Sequence, residues 1–78
     1  MTDGGKLPRI TVAELLRALG RAGWVLKRQG HSHQILTHRE RGGRVDIPRH
    51  PAQTLKPKTL QSIIDQAGLT ADQLRDLL

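Results

Sequence analysis

The 78-residue chain has no cysteine, no Tyr and no Phe, and Trp24 is its only large aromatic residue. Without cysteine, neither a disulfide nor a thiolate-bound zinc ion can support the core, which fits a reducing compartment. With a single aromatic, the chain lacks the base-stacking platform of RRM and OB-fold proteins. It also has no apolar run of membrane-spanning length and no signal-peptide pattern. We therefore expect a cytoplasmic protein with no membrane contact.

Acidic residues are few as well. The chain has 13 Lys and Arg residues against 7 Asp and Glu, which gives a formal net charge of +6 at pH 7. On so small a domain this excess favours polyanionic partners such as nucleic acid, because neutralised phosphates release their counterions. A charge excess that only keeps the protein in solution would produce the same number. Charge alone therefore leaves both explanations open.

The spacing of apolar residues predicts a helix over residues 11–22. Thr11 and Glu14 have the spacing of a capping box, and Gly23 is a typical helix stop. The same apolar spacing returns after residue 58 and ends at Gly68. Thr70 and Gln73 then repeat the capping-box spacing and open a short C-terminal helix. The two apolar stripes consist of Val12, Leu15, Leu16 and Leu19, and of Leu60, Ile63, Ile64 and Ala67.

Three short strands are predicted between these helices, over residues 24–29, 34–38 and 44–48. In the first, Trp24 and Leu26 are expected on one face, with Lys27 and Gln29 on the other. Residues 30–32 and the glycine-ended stretch 39–43 provide the turns.

The third strand alternates Val45 and Ile47 with charged residues, so one of its faces is expected to be buried. The resulting order, α-β-β-β-α with a short extra helix, predicts an α+β fold. In it, two helices cover one face of a three-stranded antiparallel sheet. We interpret residues 1–78 as a single domain with a flexible lead-in over residues 1–9.

Three stretches together resemble the HicA-type (YcfA-like) mRNA interferase toxins of type II toxin–antitoxin pairs. AGWVLKRQGHSH (22–33) is similar to the family's Gly-aromatic start, its strand ending in Arg-Gln and its Gly-Ser-His turn. VDIPRH (45–50) is similar to the family's Val-x-Val-Pro-x-His strand end. LKPKTLQSIIDQAGL (55–69) is similar to the family's Thr-Leu-x-x-Ile-x-x-x-Ala-Gly-Leu helix. The chain departs from this pattern at His31 and at Lys58, where a glycine is common.

The resemblance implies a double-stranded-RNA-binding-domain-like fold and endoribonuclease activity on mRNA without a metal or other cofactor. It also implies that His33 is the functional histidine, and that a HicB-type antitoxin is the protein partner. In RNA the nucleophile is the 2′-hydroxyl, so a minimal ribonuclease needs a base, an acid and positive charge near the phosphate. Histidine suits either proton step, since its ordinary pKa near 6.5 leaves both forms populated.

His33 is therefore the candidate general acid or base, and His50 is a possible second acid or base, or a phosphate contact. The basic residues near the strands and the second helix are candidates for gripping the RNA backbone. Among these we favour Arg28, Arg49, Lys56 and Lys58, with Ser32 as a turn residue that could also contact phosphate. The wider basic set adds Lys27, Arg39, Arg41 and Arg44.

Of the other two histidines, His31 is expected to make a local contact or to lie exposed in the turn, and His38 to lie on the solvent face of its strand. A metal site built from the four histidines is disfavoured, because few acidic residues lie near them and cysteine is absent. A non-catalytic RNA-binding module of the same fold is the main alternative. A DNA-binding regulator is a weaker one, because three strands separate the two main helices.

Overall fold

The computed structural model describes residues 7–78 and confirms the α+β order. The elements are α1 (Val12–Arg21), β1 (Trp24–Gln29), β2 (His33–His38), β3 (Gly42–Pro48), α2 (Pro57–Ala67) and α3 (Ala71–Leu77). The strands form one antiparallel sheet in chain order, with β2 in the centre. No helix within residues 7–78 is long and apolar enough to cross a membrane.

The predicted lead-in lies mostly outside the described residues, which begin at Leu7. Leu7 itself is half-buried against the core, and Ile10 is fully part of it. Both predicted capping boxes are present. Thr11 Oγ1 accepts from the backbone N–H of Glu14, whose carboxylate accepts from the N–H of Thr11. Thr70 and Gln73 make the same pair of bonds at α3.

The core lies between the helices and one face of the sheet. Val45 and Ile47 are buried, whereas Arg44 and Asp46, which alternate with them, are exposed. The helices therefore cover one face and leave the other open, as predicted. Apolar residues from the helices, the sheet and the loops beside them form one continuous cluster: Ile10, Val12, Leu15, Ala18, Leu19, Trp24, Leu36, Val45, Ile47, Leu55, Leu60, Ile63, Ile64, Ala67 and Leu74.

A β-bulge in β1 changes which residues share a face. Leu26 pairs with Leu36 but Arg28 pairs with Ile35, so Lys27 is one extra residue in β1. Directly opposed residues of antiparallel strands point to the same face. Arg28 therefore lies on the open face.

The same bulge brings Gln29 opposite the buried Gln34, on the helix-covered face. The sequence predicted that Gln29 and Leu26 lie on different faces of β1. That prediction was wrong, because the bulge shifts the alternation by one residue. Leu26 does share the face of Trp24, yet it is 52% exposed. In the edge strand β1 only Trp24 is buried, so the helices cover only the start of this strand.

His38 has a structural environment, and its predicted position on the solvent face was wrong. Its ring meets the buried Trp24 edge-on, with centroids 5.3 Å apart and planes at 84°. The backbone N–H groups of Glu40 and Arg41 donate to Nδ1, each at 3.2 Å. Nε2 therefore carries the ring proton and donates to the carbonyl of Ala22 at 2.8 Å. The imidazole thus joins the end of α1 to the β2–β3 turn.

The loop after β3 is fastened to the start of α1. The N–H groups of Val12 and Ala13 donate to the carbonyls of Gln53 (2.9 Å) and Pro51 (3.1 Å). These donors belong to the first helical turn, where no carbonyl of the helix itself can accept. The loop therefore satisfies the helix end, and in return the helix fixes the position of the loop.

Candidate functional site

His33 is the first residue of β2 and is exposed. Its carbonyl accepts a hydrogen bond from the N–H of Gly30 at 2.8 Å, which closes the turn between β1 and β2. A Cβ on residue 30 would lie 3.2 Å from that same carbonyl oxygen, so the closure is tight. The sequence QGHSH therefore forms a compact turn that presents His33 at one end of the sheet.

One nitrogen of the His33 ring is engaged and the other is not. Ser32 Oγ lies 3.3 Å from Nδ1, within hydrogen-bonding distance. Within residues 7–78, Nε2 has no hydrogen-bond partner. The Ser32 hydroxyl, which was predicted to fix the turn, contacts the neighbouring imidazole and makes no bond to the turn backbone within residues 7–78. Nε2 is the nitrogen that can exchange a proton with a bound molecule.

His33 opens onto a groove between β3 and α2, which we call the His33 groove. Its volume is about 400 Å³. Lys58 stands at the α2 side of this groove, whereas Asp46 and Pro48 come from β3. The lining residues are His33, Asp46, Pro48, Lys58, Thr59, Ser62, Ile63 and Gln66.

The charge around the His33 groove is positive once Arg44, which does not line the groove but pairs with its carboxylate, is counted. Asp46 is its only acidic lining residue, and Arg44 binds both carboxylate oxygens, at 3.1 and 3.3 Å. That ion pair offsets the negative charge and leaves the ammonium of Lys58 unopposed within the groove. An anionic ligand would therefore meet an imidazole and a cation together.

Sequence reasoning did not identify Asp46, Ser62 and Gln66 as groove residues. A signal for the last two exists in α2, where Lys58, Ser62 and Gln66 recur every four residues and so form one polar stripe. Gln66 also accepts from the backbone N–H of Asp46 at 3.1 Å. This bond ties α2 to the outer edge of β3.

His50 lines a second groove, also of about 400 Å³, which we call the hairpin groove. Its lining residues are His31, Ser32, Arg49, His50, Pro51 and Gln53. His33 is absent from this set, just as His50 is absent from the His33 groove. The two candidate proton-transfer residues therefore lie in different, neighbouring grooves.

Arg49 holds the two sides of the hairpin groove together. Its backbone N–H donates to the carbonyl of Ser32 at 3.0 Å, and its guanidinium donates to the carbonyl of Gly30 at 2.9 Å. The side chain is nevertheless exposed, and its other N–H groups have no partner within residues 7–78. Arg49 thus has a structural role in the turn as well as the charge for which it was singled out.

The remaining basic candidates are exposed but lie outside both grooves. Arg28 is on the open face of the sheet, two residues along from His33 by register. Lys56 is the N-cap of α2, directly before the first turn that carries the groove residue Lys58. That turn contains no acidic residue and has no side-chain cap, so its N–H groups add to the positive potential. The wider basic set is exposed as well, namely Lys27, Arg39, Arg41 and Arg44.

The side chains of residues 7–78 offer no cluster of metal ligands. No group of three or more His, Asp or Glu residues in this part of the chain is arranged to hold a metal ion. His31 and His50 share a groove, but no acidic residue lines it.

Comparison with known proteins gives one family. Residues 12–69 match the family described as "HicA toxin of bacterial toxin-antitoxin", which is well over half of the chain. The matched range includes every residue that lines the two grooves. A search of the curated proteins found no match.

Proposed function

The chain belongs to the HicA toxin family of bacterial toxin–antitoxin systems, and on this premise we propose that it is an endoribonuclease that cleaves mRNA without a metal cofactor. The observation that carries the proposal is the environment of His33. This exposed imidazole has an unengaged Nε2 and faces a groove that also contains Lys58. The imidazole can transfer the proton, and the cation can stabilise the charge that develops on the phosphate.

The reaction follows from the chemistry of RNA. The 2′-oxygen attacks the adjacent phosphorus, and the bond from phosphorus to the 5′-oxygen breaks. The 2′-hydroxyl loses its proton to a base, and the departing 5′-oxygen gains one from an acid. The products are a 2′,3′-cyclic phosphate and a 5′-hydroxyl. His33 acts as the acid or the base, with Ser32 orienting its ring through Nδ1.

The positive groups act on the phosphates. Lys58, in the His33 groove, is suited to the scissile phosphate, whose charge rises as the 2′-oxygen attacks. Arg28 and Lys56 flank this region on the open sheet face and at the start of α2, and we assign them to neighbouring phosphates. Arg49 contributes a further charge at the hairpin groove.

His50 is assigned a substrate contact rather than the second proton transfer. Its position in the hairpin groove argues against proton transfer at the phosphate that occupies the His33 groove.

A protein antitoxin is the partner that the family implies. We propose that it is of the HicB type, that it covers the His33 groove, and that the pair acts in the cytoplasm, where mRNA is the substrate. Its contact surface should complement the cationic residues around the groove. An acidic or neutral partner encoded beside this chain is the expected counterpart.

The proposal is tested with purified protein and a labelled single-stranded RNA, in parallel with the same sequence carrying 2′-O-methyl groups. We expect cleavage of the unmodified RNA alone, with cyclic phosphate ends, and the same rate in the presence of EDTA. Cleavage of the 2′-O-methyl RNA would contradict the mechanism. An RNA that shifts in mobility but stays intact would instead support the non-catalytic RNA-binding module.

A further inference from the structure

We propose that the hairpin groove is a nucleobase-binding subsite, in which His31 and His50 hold the base of the nucleotide next to the cleaved phosphate. The inference rests on the proposed function, because it names the part of the same substrate that this groove takes. It concerns a surface that the proton-transfer chemistry of His33 does not use.

The size and composition of the groove suit a flat, partly polar ligand. Its volume of about 400 Å³ falls within the range of roughly 300–1,000 Å³ that is usual for small-molecule sites. Three of its six lining residues carry rings, namely His31, His50 and Pro51. No acidic residue lines it, so nothing in it repels a nucleotide.

The two histidines are the side chains best suited to a base in this part of the molecule. Trp24 is 5% exposed and packs in the core, so it cannot stack on RNA. Unstacked RNA bases are recognised by aromatic rings, histidine included, and by hydrogen bonds to the base edges. An imidazole can supply both kinds of contact, since each ring has a flat face and two nitrogens.

The walls of the groove are fixed to each other before any ligand binds. Arg49 bonds to the carbonyls of Gly30 and Ser32, which holds the His31 side against the chain leaving β3. On the other side, the carbonyl of Pro51 accepts from α1, and the carbonyl of His50 accepts from Gln53. A site ordered in this way loses little conformational freedom on binding.

The groove is also adjacent to the reacting imidazole. Ser32 lines the hairpin groove and at the same time contacts Nδ1 of His33. A nucleotide whose base occupies the hairpin groove would therefore place its own or the next phosphate beside His33. Arg49, with N–H groups to spare, stands where it can hold that phosphate. The groove is thus positioned to decide which phosphates are cut.

The binding test uses a His33→Ala background, which cannot cleave if the mechanism is right, and 2′-O-methyl trinucleotides that differ in one base. The readouts are the affinity for each trinucleotide and the NMR signals of the imidazole C–H groups. We expect base-dependent shifts at His31 and His50. Replacing either residue with Ala should weaken binding of the preferred trinucleotide roughly fivefold or more. Arg17→Ala, at an exposed position of α1 outside both grooves, is the control.

The cleavage test maps every cut in a mixed RNA pool. His31→Ala and His50→Ala in the otherwise native protein should flatten the base preference next to the cut, whereas Arg17→Ala should preserve it. An unchanged preference in both histidine variants would overturn the subsite while leaving the ribonuclease intact. If the native protein cut no RNA but the trinucleotides still shifted His31 and His50, the proposed function would fail and the base site would stand. Trinucleotides that shift neither imidazole would overturn the subsite outright.

Discussion

β2 begins with one histidine and ends with another, and the two have opposite environments. His33 is exposed, and its Nε2 has no hydrogen-bond partner among residues 7–78. His38 is half-buried against Trp24, and both of its ring nitrogens are bonded to backbone groups. The same side chain therefore keeps an unpartnered ring nitrogen at one end of the strand and serves structure at the other. The difference between the two histidines is whether both ring nitrogens are already hydrogen-bonded within the fold.

The backbone next to each histidine follows the same division. Gly23 has φ of +101°, and a Cβ there would lie 2.6 Å from Nε2 of His38, closer than real contacts allow. Gly30 closes the turn before His33, but a Cβ there would meet a single carbonyl at 3.2 Å. The His38 end is thus packed around its imidazole, whereas at the His33 end the added Cβ would meet backbone and not the imidazole.

The largest effect on stability is expected from Gly23→Ala. The left-handed backbone and the collision with His38 should together lower the free energy of unfolding by roughly 3 kcal/mol. Urea unfolding measures this directly. Gly20→Ala is the matched control, because nothing lies within 4 Å of the added methyl group and residue 20 is helical. The free energy of unfolding of the Gly20→Ala protein should rise by roughly 0.5–1 kcal/mol. A Gly23→Ala protein as stable as the native one would contradict the packed end.

His38→Ala should cost about 2 kcal/mol of unfolding free energy, since it leaves the half-buried carbonyl of Ala22 without its donor and removes the ring that packs against Trp24. His33→Ala, by contrast, should change stability by less than about 0.5 kcal/mol. The same urea titration compares the two. Equal losses for both variants would show that the contrast between the two ends is wrong.

Lys58→Ala should weaken RNA binding about three- to tenfold and reduce the slope of log affinity against log salt by about 0.7, the value for one single-strand phosphate contact. Affinity is measured at several salt concentrations with a His33→Ala background to prevent cleavage. Arg17→Ala removes the same charge from a position outside both grooves. A loss of equal size in that control would indicate a non-specific charge effect.

The smallest effect concerns the two capping boxes, one with a carboxylate and one with an amide. Hydrogen bonds from Thr11, chiefly its backbone N–H, hold the pKa of Glu14 below its ordinary value of 4.5, with a smaller contribution from Arg17; partial desolvation opposes them. The stabilisation is therefore present above the unfolded-state pKa and is lost as the pH falls through the lower folded-state pKa.

Glu14→Gln keeps the box but removes its titration, as Gln73 does naturally in α3. Unfolding midpoints measured from neutral pH into acid should therefore fall less steeply in Glu14→Gln than in the native protein. Identical slopes would contradict the assignment of this pH dependence to Glu14.

Apolar spacing and capping patterns predict the fold well, because they act locally. The helix starting after Thr11, the glycine ending it and the buried positions of β3 are all confirmed. The errors come from non-local effects. The bulge at Lys27 depends on pairing with β2, so strict alternation misplaced Gln29. The burial of His38 depends on Trp24 and on the end of α1, which no single stretch of sequence contains.

The residues of the candidate site also fall into those that local sequence could predict and those that depend on non-local contacts. The turn residues before His33 could be singled out from sequence, and so could Lys58 at the start of α2. Sequence alone could not show that His33 and His50 line different grooves. The hairpin groove that contains His50 is shaped by long-range bonds from Arg49 to the turn before His33. Asp46 was missed as a groove residue because its neighbour there, α2, is distant in the chain.

The most direct test of the account is the rate of RNA cleavage by folded His33→Ala protein, measured beside the native chain and His38→Ala. Loss of a general acid or base should slow cleavage by roughly 10²- to 10⁴-fold in His33→Ala. His38→Ala should retain the native rate per folded molecule. Native-rate cleavage by pure, folded His33→Ala protein would contradict the central claim, because the imidazole in the cationic groove would then have no part in the chemistry.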